Sequence, residues 1–287
     1  MIFAIASGKG GTGKTTVSAS LASLWEDVLA VDLDVEEPNL HLFLHPEFTN
    51  TEIAYLEVPE LVEERCSKCG ACRDICQFKA ITLMAGHVLV FNEMCHGCGG
   101  CLAVCPEKAL FPSRRELGEV LSGQAGDIRF LMGRSRIGEA MSPPLMRQVK
   151  DRLGMMGIAG DVIIDAPPGV SCPAVSAVMD ADVIVLVTEP TPFGLHDFRL
   201  AHEAFTPLGK PMGVVINRAG IGDKSVYAYC EEHGLPIWAE IPYDRAVAEA
   251  YSHGHIIVDA VPTLRETFVS LRRNMLEAAG VPEVSHA

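Results

Sequence analysis

Ile2-Phe3-Ala4-Ile5-Ala6-Ser7-Gly8-Lys9-Gly10-Gly11-Thr12-Gly13-Lys14-Thr15-Thr16 is the stretch on which the reading of the fold turns. It opens with a short apolar run and leads into a segment of helical character, Thr15–Trp25, so a glycine-rich loop joins a buried strand to a helix. Gly8 to Thr15 fits the phosphate-loop pattern, in the strand–loop–helix context that pattern needs. The glycines let backbone N–H groups turn inward around phosphate oxygens, and the helix N-terminus adds partial positive charge. In such a loop Lys14 reaches the β- and γ-phosphates, the Thr15 hydroxyl ligates Mg²⁺, and Thr16 lies beside it at the helix start. ATP with Mg²⁺ is therefore the expected ligand. Met1–Ala6 has neither a basic leader nor a small-residue cleavage site, so it reads as a first strand and not as a signal peptide.

Working outward, further short β-branched runs end at polar or glycine-containing turns: Val28–Asp32, Val162–Asp165, Val183–Val187, Gly213–Ile216 and, more weakly, Ile237–Ile241. Brief, continuous apolar runs are what parallel strands buried on both faces look like. Between them lie segments of helical character, Leu145–Leu153, Leu195–Phe205 and Ser225–His233. This alternation predicts a doubly wound, mostly parallel α/β sheet. Asp165 ends one run and Asp32 and Asp34 follow another, which places three carboxylates at the sheet edge where ligands bind. A carboxylate at Asp165 suits support of Mg²⁺. Ile128–Met132 reads as a strand within a less legible connector, and Thr263–Ala278 as a last amphipathic helix packed on the sheet, followed by the tail Val281–Ala287, which is neither basic nor lipid-seeking.

The chain has 287 residues, 48% hydrophobic and 21% charged, which suits a compact core and allows one or two domains. Its net charge of −14 argues against broad binding to nucleic acid or anionic membranes. No stretch approaches the length of a membrane span, so no stable membrane insertion is expected. Ten cysteines without an export signal point to metal binding or redox chemistry in the cytoplasm, not to disulfides.

Eight of those cysteines fall between Pro59 and Pro112, where helical periodicity is almost absent. Cys66, Cys69, Cys72 and Cys76 recur as Cys95, Cys98, Cys101 and Cys105, each offset by 29 residues, and Gly70 recurs as Gly99. Lys79-Ala80-Ile81 likewise recurs as Lys108-Ala109-Leu110. A segment this short has too small a core to fold unaided, and the cysteines supply the staple. The expected division is an ATPase domain over 1–58 and 113–287, interrupted by a small α+β insert over 59–112. Zinc also takes four thiolates, but its sites usually show two separated cysteine pairs per ion, not two complete four-cysteine runs.

Lys9, directly after the first loop glycine, makes the loop resemble the deviant Walker A of the MinD/Mrp/nitrogenase-iron-protein group. That resemblance implies that Lys9 contacts nucleotide phosphates across a dimer interface, the part an arginine finger plays elsewhere. It also implies that Asp34 positions the attacking water, that Asp32 sits near Mg²⁺, and that Asp165-Ala166-Pro167-Pro168-Gly169 forms a switch with the Gly169 amide near the γ-phosphate. Asn217-Arg218 and Pro242-Tyr243-Asp244 resemble the group's two adenine-contacting segments. The catalytic set implied is thus Lys9, Lys14, Asp34 and Asp165, acting as a slow ATPase.

The spacing Cys-x₂-Cys-x₂-Cys-x₃-Cys, closed by Pro106 in the second run, resembles bacterial two-cluster ferredoxins. By that resemblance the fourth cysteine of each run ligates the other cluster. One [4Fe–4S] cluster would take Cys66, Cys69, Cys72 and Cys105, and the other Cys95, Cys98, Cys101 and Cys76. Gln77 replaces the proline in the first run, a change to the local turn and not to a ligand. Cys172 resembles a cysteine that holds a subunit-bridging metal in the nitrogenase iron protein, although no second such cysteine lies between Phe111 and Gly169; a small buried thiol is the other reading. Cys230 reads as structural and His96 as a neighbour of Cys95.

The whole chain resembles MinD-superfamily ATPases with an inserted ferredoxin domain. That implies a homodimer, or a heterodimer with a related ATPase, whose nucleotide cycle serves electron transfer or iron–sulfur and metal-cofactor assembly on a partner protein. The alternative is a redox-sensing regulatory ATPase that controls partner binding without transferring electrons or clusters.

Overall fold

The computed structural model describes residues 1–157 and 160–281. Strand β1 (Ile2–Ala6), helix α1 (Lys14–Ser23), β2 (Val28–Asp32) and the short α2 (His41–Leu44) come first. A long strand β3 (Glu47–Leu61) then runs out to a small unit containing α3 (Ala71–Ile75), β4 (Ile81–Met84), β5 (His87–Val90) and α4 (Gly100–Val104), and β6 (Leu110–Ala125) runs back. The remainder is β7 (Ile128–Ser135), α5 (Pro143–Met155), β8 (Asp161–Asp165), α6 (Cys172–Val178), β9 (Val183–Thr188), α7 (Pro192–Phe205), β10 (Met212–Ala219), α8 (Ser225–Glu232), β11 (Ile237–Pro242), α9 (Arg245–Ser252), α10 (Ile257–Ala260) and α11 (Arg265–Ala278).

One sheet of nine strands forms the frame, in the order β11-β10-β9-β1-β8-β2-β7-β6-β3. Every pairing from β11 to β7 is parallel, and β6 and β3 add on antiparallel. Both faces are covered. In β1, Ala4 and Ala6 face one apolar layer with Leu145, Ala174, Phe198 and Val226, while Phe3 and Ile5 face the other with Leu21, Phe268, Leu271 and Met275. A strand that buries alternate residues on opposite faces must be apolar throughout, which is why the central runs are continuous. Helix α11 packs through Phe268, Leu271 and Met275, as the amphipathic pattern predicts; residues 282–287 of the tail lie outside the described residues.

The strands β3 and β6 were not legible in the sequence. They pair from Glu47↔Gln124 out to Leu61↔Leu110, and Pro59 stands opposite Pro112 inside the ribbon. Proline is tolerated on edge strands, where its missing N–H breaks no ladder. The last pair between β6 and β7 is Gly118↔Ser135, beyond which the ribbon continues alone with Tyr55–Leu61 opposite Glu116–Leu110. Because β6 is antiparallel to β7, this overhang projects from the C-terminal edge of the parallel strands. Seven residues at about 3.3 Å each give it a reach of about 23 Å.

At its tip, the repeat seen in the cysteines is also a repeat of backbone shape. The left-handed residues Lys68, Gly70 and Lys79 (φ 58°, 82° and 55°) have counterparts 29 positions on in Gly97, Gly99 and Lys108 (φ 66°, 71° and 48°). The 3₁₀ turn Glu63–Arg65 likewise recurs as Asn92–Met94, and α3 recurs as α4. A small apolar cluster of Ile81, Val88 and Leu110 lies between the two halves.

Candidate functional site

The strand ends decide where the chemistry gathers. Parallel register sets Asp32 beside Asp165, and the loop Ser7–Gly13 rises from β1 between β8 and β9. Gly13 has φ 97°, and a Cβ there would stand 2.2 Å from Asn217 Nδ2, so only glycine fits. Asn217 Nδ2 donates to Thr12 O (2.7 Å), tying the end of β10 to the loop. Thr12 Oγ1 is buried and has no hydrogen-bond partner among the described residues. Space is open around Gly10 and Gly11, and the Thr12 hydroxyl awaits a partner, so the cradle fits a phosphate chain.

Asp165 anchors the cation side. It is 1% exposed and accepts from Thr15 Oγ1 (2.7 Å) and Ser18 Oγ (3.0 Å), with Lys14 Nζ 4.0 Å away. Thr15 and Asp165 are thus paired at the position from which both could hold Mg²⁺. Asp32 is fully buried and its two oxygens accept from Asp34 N (3.0 Å) and Leu40 N (2.9 Å). Burial, then the Asp165 charge, raises its carboxyl well above the usual range. It shapes the loop that carries Asp34. Burial pushes Asp34 up to about 6, with Lys14 opposing and Asp165 reinforcing the shift. A carboxyl near neutrality suits proton exchange with water. Gly169 N donates to Ser7 O (2.9 Å), which holds the segment Asp165–Gly169 against the loop.

Asn217-Arg218 and Pro242-Tyr243-Asp244 converge as well. Ala219 pairs with Pro242, Tyr243 N donates to Ala219 O (2.9 Å), and Tyr243 is 64% exposed beside Asn217 and Arg218. Asp244 Oδ1 accepts from Ala246 N (2.8 Å) and caps α9, so its side chain is already engaged. Lys9 Nζ is held within its own chain by Glu189 Oε1 (2.6 Å), and the other carboxylate oxygen, Oε2, accepts from Arg218 Nη1 (2.7 Å). Glu189 and Ser18 were missed in the sequence. Glu189 follows β9 much as Asp165 ends β8, and the strand-end rule that found one applies to the other.

The eight repeated cysteines line two separate cavities. One is lined by Cys66, Cys69, Cys72 and Cys105, the other by Cys76, Cys95, Cys98 and Cys101. Each cavity therefore draws three thiols from one run and the fourth from the other. Backbone N–H groups of Lys68, Gly97 and Ala109 point at Cys66, Cys95 and Cys105 Sγ (3.4, 3.4 and 3.2 Å). Burial raises the Cys72 and Cys101 thiols, and neighbouring thiols of the same cavity add to it. No set of three or more His, Cys, Asp or Glu groups among the described residues is arranged around a single ion. Four thiols per cavity equal the ligand number of a [4Fe–4S] cluster and of a zinc ion alike.

The second cavity abuts the large sheet. Glu57, Val58 and Pro59 line it, and Cys95 is buried in the core with Leu56 and Val58. Phe78 stacks on His96 (3.6 Å) at its wall. An ion network braces the same junction: Glu93 accepts from Arg136 and from Arg115 (3.1 Å), and Arg115 also donates to the buried Glu139. Cys172 is exposed at the start of α6, so the buried-thiol reading is not met, and Cys230 is buried.

A family model for the CobQ/CobB/MinD/ParA nucleotide-binding domain matches residues 3–257. An uncharacterised protein of Methanocaldococcus jannaschii is 32% identical over 96% of this chain and 97% of its own length. An uncharacterised ATP-binding protein of the same organism is 29% identical over 77% of this chain and 65% of its own length. Among solved structures, the septum site-determining protein MinD of Pyrococcus horikoshii, complexed with Mg-ADP, superposes with a TM-score of 0.60 at 23% identity, covering 98% of this chain and 97% of that one.

Proposed function

The chain belongs to the CobQ/CobB/MinD/ParA nucleotide-binding family, and from that premise we propose a dimer-forming, Mg²⁺-dependent ATPase whose nucleotide cycle acts on a module of two [4Fe–4S] clusters. The observation that carries the iron–sulfur half is the division of eight cysteines into two cavities of four thiols, each drawing on both runs. In this reading residues 59–112 are the module, carried outward by the β3/β6 ribbon, and residues 1–58 and 113–287 are the ATPase.

ATP lies in the Gly8–Thr15 loop, its phosphates held by backbone N–H groups, Lys14 and Thr12, and its base between Asn217-Arg218 and Pro242-Tyr243. Mg²⁺, supported by Thr15 and Asp165, supplies charge neutralisation at the phosphates. Asp34 orients water, and Lys9 of one subunit reaches the phosphates bound to its partner. When bound, the clusters supply one-electron chemistry; Cys66, Cys69, Cys72 and Cys105 would hold one, and Cys76, Cys95, Cys98 and Cys101 the other. The module overhangs the sheet edge that carries Asp32 and Asp165, so dimer closure at that edge is felt beside it. The work served is electron delivery or cofactor assembly on a partner protein, and the exposed ligands Cys69 and Cys98 put one corner of each cluster within a partner's reach.

Anaerobic reconstitution of Cys105→Ser and Cys76→Ser tests the crossed grouping. Each variant is expected to retain about half the iron. Cys105→Ser frees Cys69 for alkylation while Cys98 stays protected, and Cys76→Ser does the reverse. Uncrossed protection, or zinc in place of iron, contradicts the reading.

A further inference from the structure

Lys9 is the residue expected to leave its own subunit, yet here it is tied down at home. Glu189 follows β9 next to β1 and is only 6% exposed, so its carboxylate sits at the foot of the phosphate loop and not in bulk water. One oxygen, Oε1, takes the Lys9 ammonium at 2.6 Å and the other, Oε2, takes the Arg218 guanidinium at 2.7 Å. Thr191 holds both ends of the residue: its Oγ1 donates to Oε1 (3.3 Å) and its N donates to the main-chain carbonyl Glu189 O (2.8 Å), from which a Cβ at Gly194 would stand only 2.2 Å. Burial alone would raise the Glu189 carboxyl, but the hydrogen bond and charge of Lys9 and the charge of Arg218 hold it below the usual carboxylate range. It is therefore an anion shared by two cations, one from the phosphate loop and one from the end of β10.

That sharing has a consequence for Lys9. Withdrawing the partner of a buried carboxylate is normally severe, because the charge is left uncompensated. Here Arg218 stays on Oε2 when Lys9 departs, so the bridge to Lys9 can open without stranding Glu189. Arg218 stands in the left-handed region (φ 54°) directly after Asn217, whose side chain holds Thr12 O. The base-side segment therefore grips the phosphate loop at Thr12 and, through Glu189, at Lys9.

We infer that Glu189 is the positioning residue of the hydrolysis reaction that holds Lys9 in cis, and that the Lys9–Glu189 bridge must open, with Arg218 retaining Glu189, before Lys9 serves a second subunit. This rests on the proposed role of Lys9 across the dimer interface. Glu189 touches neither phosphate nor water in this role; it acts through the Lys9 amine.

The test uses full-length Glu189→Gln, Lys9→Ala and the double variant, each confirmed folded by thermal melting. The first readout is acylation of Lys9 in nucleotide-free protein, followed by mass spectrometry against the other lysines. Glu189→Gln should raise Lys9 labelling about three- to tenfold while the other lysines are unchanged, the range of a hydrogen bond of ordinary net strength. The second readout is the Mg·ATP concentration that half-dimerises the chain. It should fall by a similar factor in Glu189→Gln, and that fall should vanish when Lys9 is already alanine. Unchanged labelling, or an equal shift in the Lys9→Ala background, overturns the assignment and makes Glu189 a structural brace. A chain that binds ATP but never dimerises refutes the trans role of Lys9 instead, and the labelling result then decides whether Glu189 restrains it.

Discussion

Asp34 carries a conflict between stability and activity that can be measured. Burial raises its carboxyl to about 6 in the nucleotide-free chain, with Lys14 pulling down and Asp165 pushing up. A carboxyl raised in the folded state favours folding below its unfolded value near 4 and loses that advantage as pH climbs through about 6. At pH 7 the folded protein therefore bears the cost of a charged Asp34. Asp34→Asn should raise stability at pH 7 by about 1–2 kcal/mol, discounted for partial solvent screening, or roughly 2–8 °C in Tm. The gap should close as pH falls toward 4, while hydrolysis drops about 100-fold or more at all pH values. A melting series on both proteins checks it. Asp34 and Asp165 were legible because each follows a short apolar run beside a glycine-rich loop. Ser18 was not, since a serine inside a helix signals nothing until the carboxylate it faces is in place, whereas Glu189 stands at a strand end, where the rule that found Asp165 would have found it.

Among the elements, the edge ribbon is where sequence reading and structure part. The central strands announce themselves because burial on both faces forces unbroken apolar runs. In β3 only Ala54, Leu56, Val58 and Pro59 are buried, alternating at first with exposed polar residues, and its partner lies more than 50 residues away in much of the pairing. No local pattern carries that pairing, and two prolines within it imitate a domain boundary. The ribbon's base depends on Arg115, whose side chain is 6% exposed and meets Glu139, 1% exposed. Arg115→Met should destabilise the chain by about 1–3 kcal/mol in urea unfolding, because Glu139 keeps only the longer contact to Arg136 (3.5 Å) as its cation. Replacing both, Arg115→Met with Glu139→Leu, should recover most of that loss. A double variant as unstable as the single one would show that shape and not charge governs the junction.

Across the whole molecule, the fold sets the phosphate loop and the cysteine repeat apart in sequence and brings both to one edge of the sheet. The phosphate loop and its carboxylates lie at the C-terminal ends of the parallel strands, and the ribbon projects the cysteine-lined unit beyond that same edge. Pairing at Gly118↔Ser135, not the cysteine spacing, sets this direction, which is why the sequence carried no sign of it. Ser135 N also donates to Val35 O (2.8 Å), one residue past Asp34, while Arg136 reaches Glu93 beside Cys95. The loop after Asp34 and the cysteine-lined unit thus contact neighbouring residues at the end of β7, and under the proposed function any coupling must be reciprocal: if ATP shifts a cluster's potential, reduction shifts ATP affinity by the matching factor. The most direct measurement is iron and acid-labile sulfide per chain, with EPR of anaerobic, dithionite-reduced protein before and after Mg·ATP. About eight iron atoms and an interacting [4Fe–4S] signal that changes with ATP are predicted; stoichiometric zinc with no such signal would contradict the account.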